Sequence, residues 1–263
     1  MAVHPVGLHE HCVSRSRPSR RALIAMALVS MASLSTDGLS QGDSSSFVKP
    51  DPPSQNTVST NQLLTPKKAL EEAQNARKHL FAGHIDQAEK DIAHALEISP
   101  HCALALTIQG AIHIDTRQFE EAGEDFQDAI EADPSLGPAY LGVAMSLMGR
   151  GRFHDALVPL GRATSLLPGS WLVYYEEAIT HLGLGDADAA LRQITVAERF
   201  TGRDHEKKSG TAYVRGVAYT DLRDYDRAKK HFEDAIAFEP NGFFSTLARR
   251  RLEQLRALSI KGN

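Results

Sequence analysis

Three groups of side chains in this 263-residue chain have the types and spacing to do chemistry. His9-x-His11-Cys12 has the close spacing of imidazole and thiolate metal ligands. It precedes an arginine-rich stretch and an apolar run, and is expected to leave with them, so no metal site is expected. His205-Glu206 opens like the zinc motif His-Glu-x-x-His, but Lys207, Lys208 and Ser209 follow, and the second histidine is missing. His79, His113 and His181 stand at multiples of one common period. Histidine titrates near neutrality, so these three could form a pH-sensitive element between packed helices. The chain has no Gly-rich phosphate loop and no Cys-x-x-Cys pair. Nor does it show a nucleophile set beside an acid–base partner. The expectation is a protein that is not an enzyme, with no catalytic residues and no cofactor.

The elements that carry these histidines repeat. The successive intervals between Ala88, Ala122, Ala156, Ala190 and Ala228 are 34, 34, 34 and 38. Seven residues after each comes a second alanine: Ala95, Ala129, Ala163, Ala197 or Ala235. One bulky apolar residue lies between each pair: Ile92, Phe126, Leu160, Ile194 or Phe232. Twelve residues before each first alanine is a small residue (Ala76, Gly110, Ala144, Ala178 or Gly216), and twelve after it is Pro100, Pro134, Pro168, Gly202 or Pro240. A fixed period of this length marks an array of helical repeats.

Each unit divides into two helices. Residues 103–116 place Leu104, Ile108, Ala111 and Ile114 on one helical face. Thr116-Arg117-Gln118 breaks the pattern. Phe119, Ala122, Phe126, Ala129 and Ile130 mark a second helix, which Pro134 ends by disfavouring helical geometry in the residue before it. The small residues let two backbones approach, and the bulky residue fills the gap between them. One hairpin cannot bury both its faces, so neighbours must stack.

This pattern resembles the tetratricopeptide repeat (TPR) family over residues 69–240. The second unit fills seven of the family's eight signature positions acceptably with Leu106, Gly110, His113, Ala122, Phe126, Ala129 and Pro134; Gln109 is the poor match. The third unit offers Tyr140, Val143, Ala144, Leu147, Ala156, Leu160, Ala163 and Pro168. The fourth departs at Gly202. The resemblance implies an all-α, right-handed superhelical solenoid of about five helix hairpins, closed by a C-terminal capping helix. It also implies a binding role without naming a ligand. His79, His113 and His181 occupy a position where the family usually has an aromatic. Filling that slot with one satisfied hydrogen bond is the alternative to a pH-sensitive element.

Arg15, Arg17, Arg20 and Arg21 precede an apolar run from Ala22 to Leu34, which reads as an export signal over residues 1–35. The run is short of the roughly 20 residues of a membrane span, so no stable span is expected. The expected destination is the bacterial periplasm; the alternative is an envelope anchor made by the uncleaved segment. Residues 36–64, with Pro50, Pro52 and Pro53, read as a disordered linker. Thr65-Pro66 is expected to open the first helix, threonine as cap and proline in its first position. Repeats then occupy 65–240, and 241–263 forms a capping helix and tail. In that helix Phe244, Leu247, Leu252 and Leu255 would face inward. Arg249, Arg250 and Arg256 would supply the polar face; with Arg251 they could instead attract anionic lipid or nucleic acid. The four extra residues of the last period lie between Thr201 and Gly210. They are either a protruding loop or an extended helix start.

Composition narrows the partners. The chain carries 29 basic and 33 acidic residues, net −4, and loses a net three positive charges if residues 1–35 are removed. Nucleic-acid binding needs a positive surface that displaces counterions, so no nucleic acid is expected. Cys102 would be left without a second cysteine, which excludes an internal disulfide.

In TPR arrays the first helix of each hairpin lines the concave surface through its second, fifth, ninth and twelfth residues. Here that implies a stripe of twenty positions in which only Arg77 is charged. The expected partner-binding residues are Leu104, Leu141, Met145, Met148, Leu172, Tyr175, Ile179, Leu182, Tyr213 and Val217. The lysine, arginine and asparagine clamp with which some family members grip a carboxylate is absent from the stripe. The expected ligand is an apolar or amphipathic segment of another protein, held as a helix in a groove. The alternatives are self-association, and an accessory role in an envelope enzyme complex.

Overall fold

In the computed structural model, residues 64–261 are described, with side chains up to residue 256. The export segment, His9, His11 and Cys12, and the linker up to residue 63 lie outside the described residues. The described residues form eleven helices and no strand. They are α1 (Lys67–Phe81), α2 (Ile85–Ile98), α3 (Ala103–Thr116), α4 (Phe119–Ala132), α5 (Gly137–Gly149), α6 (Phe153–Leu166), α7 (Trp171–Gly183), α8 (Ala187–Glu198), α9 (His205–Asp221), α10 (Tyr225–Phe238) and α11 (Phe243–Lys261). Five antiparallel hairpins, from α1/α2 to α9/α10, stack in chain order, and α11 closes the stack.

The local causes recur from unit to unit. Inside each hairpin the turn passes through one left-handed residue. Gly83, Arg117, Gly151, Gly185 and Arg223 have φ of 78, 67, 76, 76 and 61°. That conformation ends an α-helix by turning the chain away from its axis. Glycine takes it freely, and the two arginines hold it at a cost of about 1 kcal/mol each. Where proline follows one residue later, Ser99, Asp133 and Glu239 leave the helix with φ of −145, −141 and −147°. This is the extended geometry that proline forces on its predecessor.

The small-residue skeleton is the core. All ten paired alanines are buried, and so are the five bulky residues between them. Phe126 shows the packing most clearly. Its ring lies so close to α3 that a Cβ on Gly110 would sit 3.0 Å from it, and a Cβ on Gly142 of α5 would overlap it. One side chain thus wedges its own hairpin to the next, and burying it contributes about 2–3 kcal/mol.

Two junctions refine the sequence reading. The four extra residues extend α9 at its start, making it 17 residues long against 13 to 15 for the earlier first helices. The stretch is an extended helix start rather than a protruding loop. Asp204 caps it by accepting from the Lys207 backbone N–H at 3.1 Å, and His205 Nδ1 lies 3.0 Å from the Phe238 carbonyl oxygen. At the other end of the array α1 begins at Lys67, one residue later than expected. Pro66 takes the cap position, and no side chain caps the helix.

The last helix departs from the repeat pattern at one position. Phe243 stands one full period after Ser209, so α11 is in register as a sixth first helix. At the position filled by Ala76, Gly110, Ala144, Ala178 and Gly216 it carries Arg250. A long charged side chain thus replaces the small residue that lets the second helix approach in the earlier units. Arg249, Arg250, Arg251 and Arg256 are exposed, which gives the stack a polar end.

Candidate protein-binding face

The first helices α1, α3, α5, α7, α9 and α11 touch one another from unit to unit, whereas the second helices do so far less. The first helices, which carry the expected stripe, therefore line the inner side of the curve. The ten expected residues differ in what they offer. Leu141, Leu172, Tyr175 and Met145 are buried, whereas Leu104, Met148, Ile179, Leu182, Tyr213 and Val217 are half-buried. A surface of six apolar side chains remains, and the other four form its floor.

Much of that floor is made by neighbouring units. Tyr175 stacks on Trp171 with ring centroids 4.8 Å apart. Phe244 of α11 stands edge-on to Tyr175 at 6.3 Å and tilted to Tyr213 at 6.1 Å. The capping helix thus fills the end of the groove with a residue in register with the stripe. The two threonines of the stripe are satisfied within their own helices: Thr107 Oγ1 donates to the Ala103 carbonyl at 2.7 Å and Thr220 Oγ1 to that of Gly216 at 2.9 Å. Beside the stripe, Thr180 Oγ1 donates to the Glu176 carbonyl at 2.8 Å, with Met148 Sδ 3.1 Å away. The face offers dispersion and apolar burial with few directional groups.

Two of the three recurring histidines do something that the repeat pattern alone did not reveal. His79 Nδ1 and Asp91 Oδ2 lie 2.6 Å apart, and so do His113 Nδ1 and Asp125 Oδ2. Each pair clasps the two helices of its hairpin. The signal was present in the sequence: an aspartate at a fixed distance after each histidine, repeated once at the common period. His181 has Gln193 at that place and no such pair. The fifth unit stacks Tyr219 on His231 at 5.3 Å instead.

Burial pushes the Asp125 carboxyl up to about 6, against the opposing pull of His113; Asp128 and Glu124 add to the rise. Because the folded value is raised, the native state binds more protons than the unfolded chain between about pH 4 and 6. Asp125 therefore favours folding most at low pH, and this contribution is lost as pH rises through 6. Asp125→Asn should remove a dependence of roughly 2–3 kcal/mol across that window. Urea-unfolding free energies of both proteins from pH 4 to 7.5 check this; a constant difference between them would refute it.

Cys102 is buried at the junction before α3, and burial pushes its thiol up. That placement keeps it from bridging to another chain. Among the described residues no cluster of metal-ligating side chains occurs, and no helix is long and apolar enough to cross a membrane.

Comparisons with known proteins agree with this geometry. Tetratricopeptide repeat family models match residues 74–136 and 210–241. The BBSome complex member BBS4 of Bos taurus is 22% identical over 195 residues, covering 61% of this chain and 37% of that protein. The chain thus spans little more than a third of that curated relative. TTC0263, a TPR protein of Thermus thermophilus, superposes with a TM-score of 0.58 at 16% identity, over 72% of this chain and 99% of that one. YrrB, a TPR protein with an unusual peptide-binding site, gives 0.52 at 20% identity, over 69% and 92%. Residues 74–136 and 210–241 are tetratricopeptide repeats, set in an all-helical solenoid of that repeat's fold.

Proposed function

We propose that the chain is a non-enzymatic adaptor or scaffold that holds an apolar or amphipathic helical segment of another protein against its concave face. The observation that carries this reading is the stripe of half-buried apolar side chains from Leu104 to Val217, with Ile179 and Leu182 one turn apart on α7 and no charged residue between those ends of the stripe. Methionine adapts its shape to varied partners. Amphipathic helices bind such surfaces through anchors spaced three and four residues apart. YrrB, which shares the fold, has a peptide-binding site. We further propose export to a bacterial periplasm, on the strength of Arg15 to Ser35, with the solenoid acting there as a binding module.

Ile179→Lys tests the groove. It places a charge amid the stripe, where the long side chain can still reach solvent. A panel of labelled amphipathic peptides should contain members that bind the wild type, and the variant should bind them about tenfold or more weakly. Circular dichroism should be unchanged. Equal binding by both proteins would move the site off the concave face. A concentration-dependent dimer in light scattering, lost in the variant, would assign the face to self-association instead.

A further inference from the structure

The capping helix α11 has one side that the array does not use. Phe244, Ala248, Leu252 and Leu255 follow at steps of four, four and three and pack onto the hairpins before them. On the remaining side Arg249, Arg250 and Arg256 are exposed. In the earlier units a second helix covers this side of the first; among the described residues none follows α11. Arg249 Nη2 donates to the Pro240 carbonyl at 2.6 Å, which engages only part of a guanidinium that has several N–H groups. Glu253 is the one acid among the three arginines, so the face stays positive.

The complementary surface lies on the same chain. Helix α4 carries carboxylates and no lysine or arginine. Glu121, Glu124, Asp128 and Glu131 are exposed at steps of three, four and three, which puts them in one stripe. Glu120 pairs with Arg150 at 2.9 Å, but the four residues of the stripe form no ion pair among the described residues. Like charges at this spacing destabilise a helix. Their field reaches into the hairpin: after burial, Asp128 and Glu124 push the Asp125 carboxyl up. The stripe therefore gains from cations laid along it.

The spacings on the two helices match. Arg249 and Arg256 are seven residues apart, as are Glu121 and Asp128, and Glu124 and Glu131. Seven residues span about 10 Å of helix in each case. Helices laid side by side can thus pair both arginines with carboxylates. Within one chain they cannot meet, because the third, fourth and fifth hairpins separate α4 from α11 in the stack. We propose that the arginine face of α11 docks on the acidic stripe of α4 in a second copy of this chain. The contact is head-to-tail: each copy offers both surfaces, so copies add in a row or close into a ring. Neither surface belongs to the concave stripe, so the contact leaves the groove free and does not rest on the binding role proposed for it. Exposed ion pairs are individually weak and are screened by salt, so the association is reversible and strongest at low ionic strength.

Sedimentation velocity of the full chain at rising concentration, in about 50 and about 500 mM sodium chloride, tests this. The wild type should grow beyond the monomer at low salt, and associate about tenfold or more weakly at high salt. Arg249→Glu/Arg256→Glu and Glu124→Gln/Glu131→Gln should each stay largely monomeric alone. Mixed, they should form a complex of one copy of each and nothing larger, because the first keeps the acidic stripe and the second keeps the arginines. That rescue also shows that both variants are folded. Ile179→Lys should associate as the wild type does, even where it binds no peptide. A wild type that stays monomeric at low salt, association that salt does not weaken, or a mixture that forms no complex would overturn the proposal. Association lost in Ile179→Lys would overturn it too, by moving the contact to the concave face. A monomer that sediments with phosphatidylserine vesicles, and no longer does so in Arg249→Glu/Arg256→Glu, would assign the arginines to a membrane surface instead.

Discussion

Replacing Phe126 by alanine is expected to lower the unfolding free energy by about 3–5 kcal/mol. The ring is fully buried, and it contacts α3 at Gly110 and α5 at Gly142, so its removal opens two interfaces at once. Neither glycine has a side chain that could swing into the space. The backbones would have to close in, and close packing elsewhere along the same helices resists that. In an array of this kind stability is a sum over units and their interfaces. The loss should therefore be local: amide exchange should speed up in α3 to α5 before it does in α9 and α10. Urea unfolding together with hydrogen exchange reads both effects. A loss below about 1 kcal/mol would mean that the hairpins are not held by this wedge.

Tyr175→Ala should cost a comparable amount, about 3–5 kcal/mol, by a different route. Tyr175 is 1% exposed and is the largest of the fully buried side chains. It pairs with Trp171 on its own helix and with Phe244 from the capping helix. Each aromatic pair adds about 0.5–1.5 kcal/mol beyond the area it buries. Loss of the ring should also loosen α11, although the whole fifth hairpin separates Tyr175 from Phe244 along the chain. Amide exchange over residues 243–256 should rise in Tyr175→Ala. In Phe126→Ala it should not, because Phe126 does not touch the cap. Unchanged protection of α11 in the tyrosine variant would show that Phe244 is held by Tyr213 and Phe243 without Tyr175.

The fold was legible because its cause is periodic. The boundaries expected at 103–116 and at Phe119 coincide with α3 and α4, where apolar spacing, a left-handed turn and a following proline all agree. The start of α1 was less legible. Thr65 and Pro66 are compatible with two adjacent cap positions, and the choice depends on packing that local chemistry does not contain. The depth of the stripe was not visible. Whether Leu141 or Leu182 reaches solvent depends on how tightly one hairpin curves onto the next, a property of the whole stack. The histidine clasps were hidden for a related reason. A histidine and an aspartate on two successive helices become adjacent only once the hairpin closes.

The contact between Tyr175 and Phe244 also has a mechanical consequence. Pulled along its axis, a row of hairpins joined only to their neighbours behaves as a spring, with every interface yielding in series. This contact reaches over the fifth hairpin and joins the fourth to the cap, so the last interfaces carry load along two parallel paths. The described array is therefore a compliant coil with one stiff end. An axial strain would be taken up first between Lys67 and Gly149, where no such aromatic strut crosses a hairpin among the described residues.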